Sequence, residues 1–145
     1  MDRFVLDSNT LTHILKRSTA VIHRLREAAT ANAELYLCPV AYYEVRRGLL
    51  ARAAARQLTE LNALAGTLLW VDFERPMWDD AADMWAMCRR TGRRQDDDAD
   101  LLIAAYARGL AATVVTNNTA DFVNLGVPLA DWLEPAGPAA PRPDS

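Results

Sequence analysis

Asp7, Glu44, Asp100 and Asp121 sit in four separate stretches, "LDSNT", "YYEVRR", "DDDADLLIAA" and "TNNTADF". Each acid has an ordinary structural reading. Asp7, or Ser8 beside it, suits the cap of a helix. Asp96, Asp97, Asp98 and Asp100 would complement a helix dipole, at about 0.3–1 kcal/mol each. Glu44 reads as a solvated surface acid and Asp121 as a turn residue. Taken together they read differently. Two carboxylates about 4 Å apart repel by roughly 4 kcal/mol at an effective dielectric of 20. Four at one spot need a counter-charge to stay ionised. Lys16 is the only lysine, it is not near these acids in sequence, and His13 and His23 have no evident acidic partner. A divalent cation meets the need. Ligands that are all oxygen select hard ions, so Mg²⁺ or Mn²⁺ is expected rather than zinc. An ion held there lowers the pKa of a bound water and orients it at phosphorus. The reaction class is phosphodiester hydrolysis. Asp97 lies one turn before Asp100 and is a candidate for a second ion, whereas Asp96 and Asp98 read as solvated. Thr116 and Asn118, near Asp121, carry a hydroxyl and an amide that suit a water or a phosphate oxygen, or simply a hydrogen-bonded turn.

Such a site requires elements that carry distant residues to one edge. "FVL" at residues 4–6 is a short apolar run before a polar turn and reads as a buried strand that ends at Asp7. Helices are expected over Leu11 to Arg17 and Val21 to Ala33. "ELYLCP" is the second strand, closed by Pro39. Val40 to Leu50 and Ala53 to Ala65 follow as helices, and Gly48 inside the first of them suggests close approach of another backbone. "LLWVDF" is the third strand. Met77 to Arg90 is a helix with Pro76 in its first turn, ended by Gly92, with Trp78, Ala81, Ala82, Trp85 and Cys88 on its inner face. Asp97 to Arg108 is the next helix, ended by Gly109. "AATVVT" is strand four and "VPLAD" a short strand five. This alternation indicates an α/β fold with a parallel sheet covered on both faces. In such sheets, sites form beyond the carboxyl ends of the strands, where the strand order reverses. All four acids can face that edge.

At 145 residues the chain suits one domain, and with 51% hydrophobic residues it is expected to fold. The Pro/Ala-rich stretch from residue 135 to residue 145 has little to bury and is expected to be a disordered tail, leaving residues 1–134 as the domain. No run approaches the roughly 18 apolar residues of a membrane span. "MDRFVLDSNT" does not read as a signal peptide, and Cys38 and Cys88 show neither a disulfide framework nor zinc spacing. A cytoplasmic protein with reduced thiols is expected. The net charge of −3 argues against an overall basic surface but leaves room for a local basic groove. Arg46, Arg47, Arg89, Arg90, Arg93 and Arg94 are candidates for such a path; each alone also reads as a solvated charge. Trp70, Trp78 and Trp85 suit stacking on single-stranded bases, though core or interface packing is the commoner use of such residues.

"FVLDSNTL", "PVAYYEVRRGL" and "DLLIAAYARGLAATVVTNNTADF" together resemble the successive motifs of PIN-domain ribonucleases, specifically the VapC-type toxins of bacterial toxin–antitoxin pairs. The resemblance runs from about Phe4 to Trp132. It implies a PIN-like three-layer α/β/α fold with a short central parallel sheet of four to five strands. It further implies a Mg²⁺- or Mn²⁺-dependent endoribonuclease, with Asp7, Glu44, Asp100 and Asp121 as the catalytic acids. Asp7, Asp100 and Asp121 would be the metal ligands, with Ser8, Asn9, Thr116 and Asn118 as supporting polar groups. Ser8 stands where the family usually has threonine and keeps the hydroxyl. Arg46, Arg47, Arg93 and Arg94 are carried as RNA contacts. An RNA substrate such as tRNA, a cognate antitoxin and a homodimer are the partners implied. Two rival readings stand beside this one. An aspartyl-nucleophile phosphohydrolase would use Asp7, but Asn9 occupies the place of its second aspartate and Lys16 is misplaced for its lysine. A non-catalytic PIN module that only binds RNA or protein would not need an intact set of acids.

Overall fold

Val5 and Leu6 are consecutive and both buried, which in a strand means that both faces are covered, since neighbouring side chains point to opposite sides. That strand, β1 (Arg3–Leu6), lies inside a four-stranded, all-parallel sheet. The computed structural model describes residues 1–93, 95 and 97–134. The expected tail at residues 135–145, together with Arg94 and Asp96, lies outside the described residues. After β1 come α1 (Ser8–Leu15), α2 (Thr19–Thr30), β2 (Glu34–Leu37), α3 (Pro39–Ala51) and α4 (Ala55–Ala65). Then come α5 (Arg75–Arg90), α6 (Asp98–Gly109), β3 (Thr113–Val115), a 3-10 turn (Thr119–Asp121) and β4 (Leu129–Ala130). The sheet order is β2-β1-β3-β4. The expected α/β class and its four-to-five-strand sheet are therefore found, with four strands.

The helices pack as two groups. α1, α3 and α4 touch one another, and α5 lies on α6, which reaches β1, β3 and α3. The core is aliphatic and small where the layers meet: Leu101, Ile103, Ala104, Ala105, Tyr106 and Ala107 are buried on α6. A helix buried nearly all round, as here, is one wedged between other elements rather than laid on a surface.

Three expectations need correction. "LLWVDF" is not a strand. Only Leu69 pairs, bridging to Tyr36, with its N–H donating to Leu35 O and its carbonyl accepting from Leu37 N. Two residues on, the Tyr106 hydroxyl takes over: it donates to Val71 O at 2.7 Å and accepts from Val71 N at 3.2 Å. A side chain thus satisfies the backbone that a neighbouring strand would have used. The inner face of α5 is Met77, Ala81, Met84 and Cys88, while Trp78 and Trp85 are 51% and 43% exposed. The aromatic positions lie on a stripe adjacent to the true one. Gly48 admits no close backbone, because a Cβ there would meet only the Arg52 guanidinium at 3.6 Å.

Removing the Tyr106 hydroxyl isolates that tether. Tyr106→Phe is expected to destabilise the protein by about 1–2 kcal/mol, measured as a lower urea midpoint with an unchanged m-value.

Candidate functional site

β1 has β2 on one side and β3 on the other, so the strand order reverses at its carboxyl end. Asp7 is the residue there. Its backbone N–H donates to Val115 O at 3.2 Å, which ties it to the end of β3. Its side chain caps α1, with Oδ1 accepting from Thr10 N at 2.9 Å. The capping interpretation of Asp7 is therefore correct, and it leaves the second carboxylate oxygen outside the cap. Asp7, Thr10 and Thr116 are the buried polar residues among those described. Thr10 donates its hydroxyl to Val115 O at 2.7 Å, and the Thr116 hydroxyl bonds the Asp7 carboxylate. Thr116 Oγ1 in turn accepts from Asn118 N at 3.0 Å. Burial pushes the Asp7 carboxyl above its ordinary value, and the hydrogen bonds from Thr116, Thr10 and Asn9 pull it part of the way back.

Asp100 lies in the first turn of α6, half-buried, anchored by Leu101 and Ile103 behind it. Its pKa is raised to about 7, first by burial and then by the charges of Asp97, Asp121, Asp7 and Glu44. The other three acids of the expected catalytic set, and Asp97, thus all act on this one. Glu44, in α3, is raised by burial and by Asp97 and Asp7, while the Ser8 hydroxyl and Arg47 draw it down. Asp97 is exposed and caps α6, accepting from Ala99 N at 2.9 Å. Asp121 is exposed at the end of the 3-10 turn. Among the described residues, no three His, Cys, Asp or Glu side chains gather closely enough to hold an ion by themselves. The acids act on one another through space. A magnesium-like ion suits such spacing, since it takes one or two carboxylates directly and keeps several waters. The donor set, carboxylates with hydroxyls and amides, fits a hard cation.

The arginines divide. Arg47 lines a groove of about 580 Å³ with Ser8, Asn9 and Glu44, beside the acids. Arg93 and Arg89 line another, of about 440 Å³, with Trp85 and Gln95. Arg46 turns to Asn62, donating to Oδ1 at 3.2 Å. Three residues near the site were passed over in the sequence. Thr10 stands three residues after Asp7, a capping spacing that was readable. Gln95 donates from Nε2 to Asp100 Oδ2 at 3.5 Å, and nothing in its sequence context signals this. Asn117 carries a buried Oδ1 that has no hydrogen-bond partner among the described residues.

Residues 4–127 match the PIN domain family. The chain belongs to the PIN domain family. No curated protein matches this PIN domain chain in sequence. Solved structures do match in fold. VapBC2 from Rickettsia felis, bound to a promoter DNA fragment, aligns with a TM-score of 0.82 at 21% identity, covering 90% of this chain and 98% of that one. DNA-bound VapBC from Salmonella typhimurium aligns at 0.80 and 23% identity, covering 91% and 99%. A toxin–antitoxin complex from Klebsiella pneumoniae aligns at 0.68 and 16% identity, covering 88% and 96%. These likenesses show the PIN fold. Among the described residues, no helix is long and apolar enough to cross a membrane.

A carboxyl raised from 3.8 to about 7 binds its proton more tightly in the folded than in the unfolded chain. Its contribution to stability is therefore full below the unfolded value and is lost as pH rises through the folded one. In EDTA, the melting temperature of the parent minus that of Asp100→Asn is expected to fall as pH rises from about 4 to about 7. Adding Mn²⁺ at neutral pH is expected to raise the parent more than the variant. A flat difference across that window would mean that Asp100 titrates normally.

Proposed function

We propose that this PIN domain is a metal-dependent endoribonuclease and the toxin of a toxin–antitoxin pair, with tRNA as its substrate class. The observation that carries this reading is Asp100, whose carboxyl is raised to about 7 by burial and by four other acids from three further stretches of chain and its own helix cap. A carboxyl that burial and four neighbouring acids hold toward its protonated form suits exchange of that proton for a cation. Asp7, Asp100 and Asp121 would hold it, one or two directly and the rest through its waters, with Asp97 as a candidate for a second ion. When bound, a divalent cation lowers the pKa of a water and offsets charge on a phosphate oxygen.

The chain's own groups have assignable parts. Thr10 and Thr116 fix the Asp7 carboxylate, one by its backbone N–H and the other by its hydroxyl, so that its direction does not depend on a ligand. Glu44, held by Ser8, has a raised pKa and suits acceptance of a proton from an attacking water. Gln95 bears on Asp100, and Asn9 and Asn118 offer amides for solvent or phosphate. Arg47, in the groove beside Glu44, is the best placed of the proposed RNA contacts. The toxin role draws on the likeness to the Klebsiella toxin–antitoxin complex and on the motif resemblance. A cognate antitoxin and a homodimeric assembly belong to the same proposal, as does a cytoplasmic place of action. A phosphoenzyme trapped on Asp7 would instead favour the aspartyl-nucleophile alternative.

Incubation of the purified protein with a tRNA pool and Mn²⁺, followed by sequencing of new RNA ends, tests the activity. Asp7→Asn and Asp100→Asn are each expected to slow cleavage by about 100-fold or more, and Asp97→Asn by less. Unchanged cleavage by the Asp7→Asn/Asp100→Asn double variant would remove the proposed centre. Equal losses at Asp97 and Asp100 would reverse their ranking.

A further inference from the structure

Beside the acids lies a groove that the hydrolytic chemistry does not use. The last turns of α5 supply Trp85 and Arg89, and the segment leading into α6 supplies Arg93 and Gln95, around a volume of about 440 Å³. Trp85 is 43% exposed although the rest of its helix buries Met84 and Cys88. The guanidinium carbon of Arg89 stands 4.5 Å from the Trp85 ring centroid. Gly92, at φ +70°, turns the chain here, and a Cβ at that position would meet nothing within 4 Å, so the space beside it is open. Gln95 connects this groove to the acids through its hydrogen bond to Asp100. Asp98 also lines it, contributing a negative charge at one side.

An indole presented to solvent beside two guanidinium groups matches one chemistry closely: a flat, weakly polar ring joined to an anion. Duplex RNA cannot offer this, because its bases are stacked inside the helix; a loop or an end can. We infer that this groove is a subsite for one unpaired nucleotide of the RNA substrate, its base against Trp85 and a neighbouring phosphate on Arg89 and Arg93. The inference rests on the nuclease reading and deepens it: the enzyme selects single-stranded segments, and the stacked nucleotide sets which bond lies at the acids. Asp98 repels phosphate and accepts from a base amine or ring N–H, which orients the base toward its side and the phosphate toward the arginines. The competing occupant is a second copy of the chain, since Trp85 also borders an apolar groove with Trp78, Ala82 and Leu102.

Fluorescence anisotropy in EDTA, with a labelled single-stranded oligoribonucleotide and a duplex of the same sequence, separates these cases. The parent is expected to prefer the single strand. Trp85→Ala should weaken single-strand binding by about tenfold, and Trp85→Phe should keep most of it. Arg89→Ala and Arg93→Ala should each lower the slope of log affinity against log salt by about 0.7. In Mn²⁺, Trp85→Ala should raise KM for the single strand with little change in kcat. Equal affinity of Trp85→Ala and the parent, or equal affinity for duplex and single strand, overturns the subsite. So does a fall from dimer to monomer for Trp85→Ala in sedimentation velocity, which would make the groove a contact between copies. Binding is read without metal, so its outcome is independent of the acids. Loss of Trp85 dependence with cleavage still abolished in Asp100→Asn would sink the subsite alone. Normal cleavage by the double acid variant would sink the nuclease centre alone.

Discussion

Repulsion among like charges is the constraint that shapes the carboxyl edge of this sheet. Asp7 is nearly excluded from solvent, Asp100 and Glu44 are half-buried, and Asp97 and Asp121 add their fields from the surface. Desolvation acts on all three raised groups toward the protonated form, and repulsion from neighbouring acids adds to it at Asp100 and Glu44. The fold does not relieve this with a paired lysine. It opposes the strain locally instead, by aiming N–H and O–H donors at Asp7 and Ser8 at Glu44. Those donors orient the carboxylates without supplying a counter-charge.

The scaffold that sustains this is economical. One strand, β1, carries Asp7 to the point where the strand order reverses, and the end of β3 meets it there through Val115 and Thr116. Helix beginnings supply most of the rest. Asp7 caps α1 and Asp97 caps α6, while Asp100 lies one turn into α6. The positive end of a helix partly offsets a carboxylate close by. Capping therefore does not use up these side chains: one oxygen is committed to the backbone and the other lies outside the cap.

Much of this was legible in the sequence because it depends on short-range signals. The "FVL" run before Asp7, the buried "LLIAA" after Asp100 and the "TVV" before Thr116 are strong patterns, and the three together place the acids on one edge. What was not legible depends on partners far away in the chain. "LLWVDF" has the composition of a strand, but its pairing is decided by Tyr106, which occupies the hydrogen-bonding groups of Val71 from 35 residues away. Tryptophans on α5 looked like core because of their size, whereas the alternation of Met77, Ala81, Met84 and Cys88 sets the buried stripe. Gln95 beside Asp100 arises from the path of the connection into α6, which local composition does not specify. The spacing of the acids was likewise out of reach: the sequence implied that they share an edge, not that among the described residues no three of them gather closely enough to hold an ion unaided.

The order of the strands along the polypeptide has a consequence for biosynthesis. β1 is made first, yet it lies between β2 and β3, and β3 ends at Val115. The seat of Asp7 requires Val115 and Thr116, and Asp121 comes later still. A nascent chain with its first hundred residues exposed has every acid but one and still lacks the strand that closes the pocket around them. Chains that stall or terminate early therefore leave the ribosome before Asp7 has the partners from β3 that seat it, and the full set of acids shares one edge only in near-complete copies.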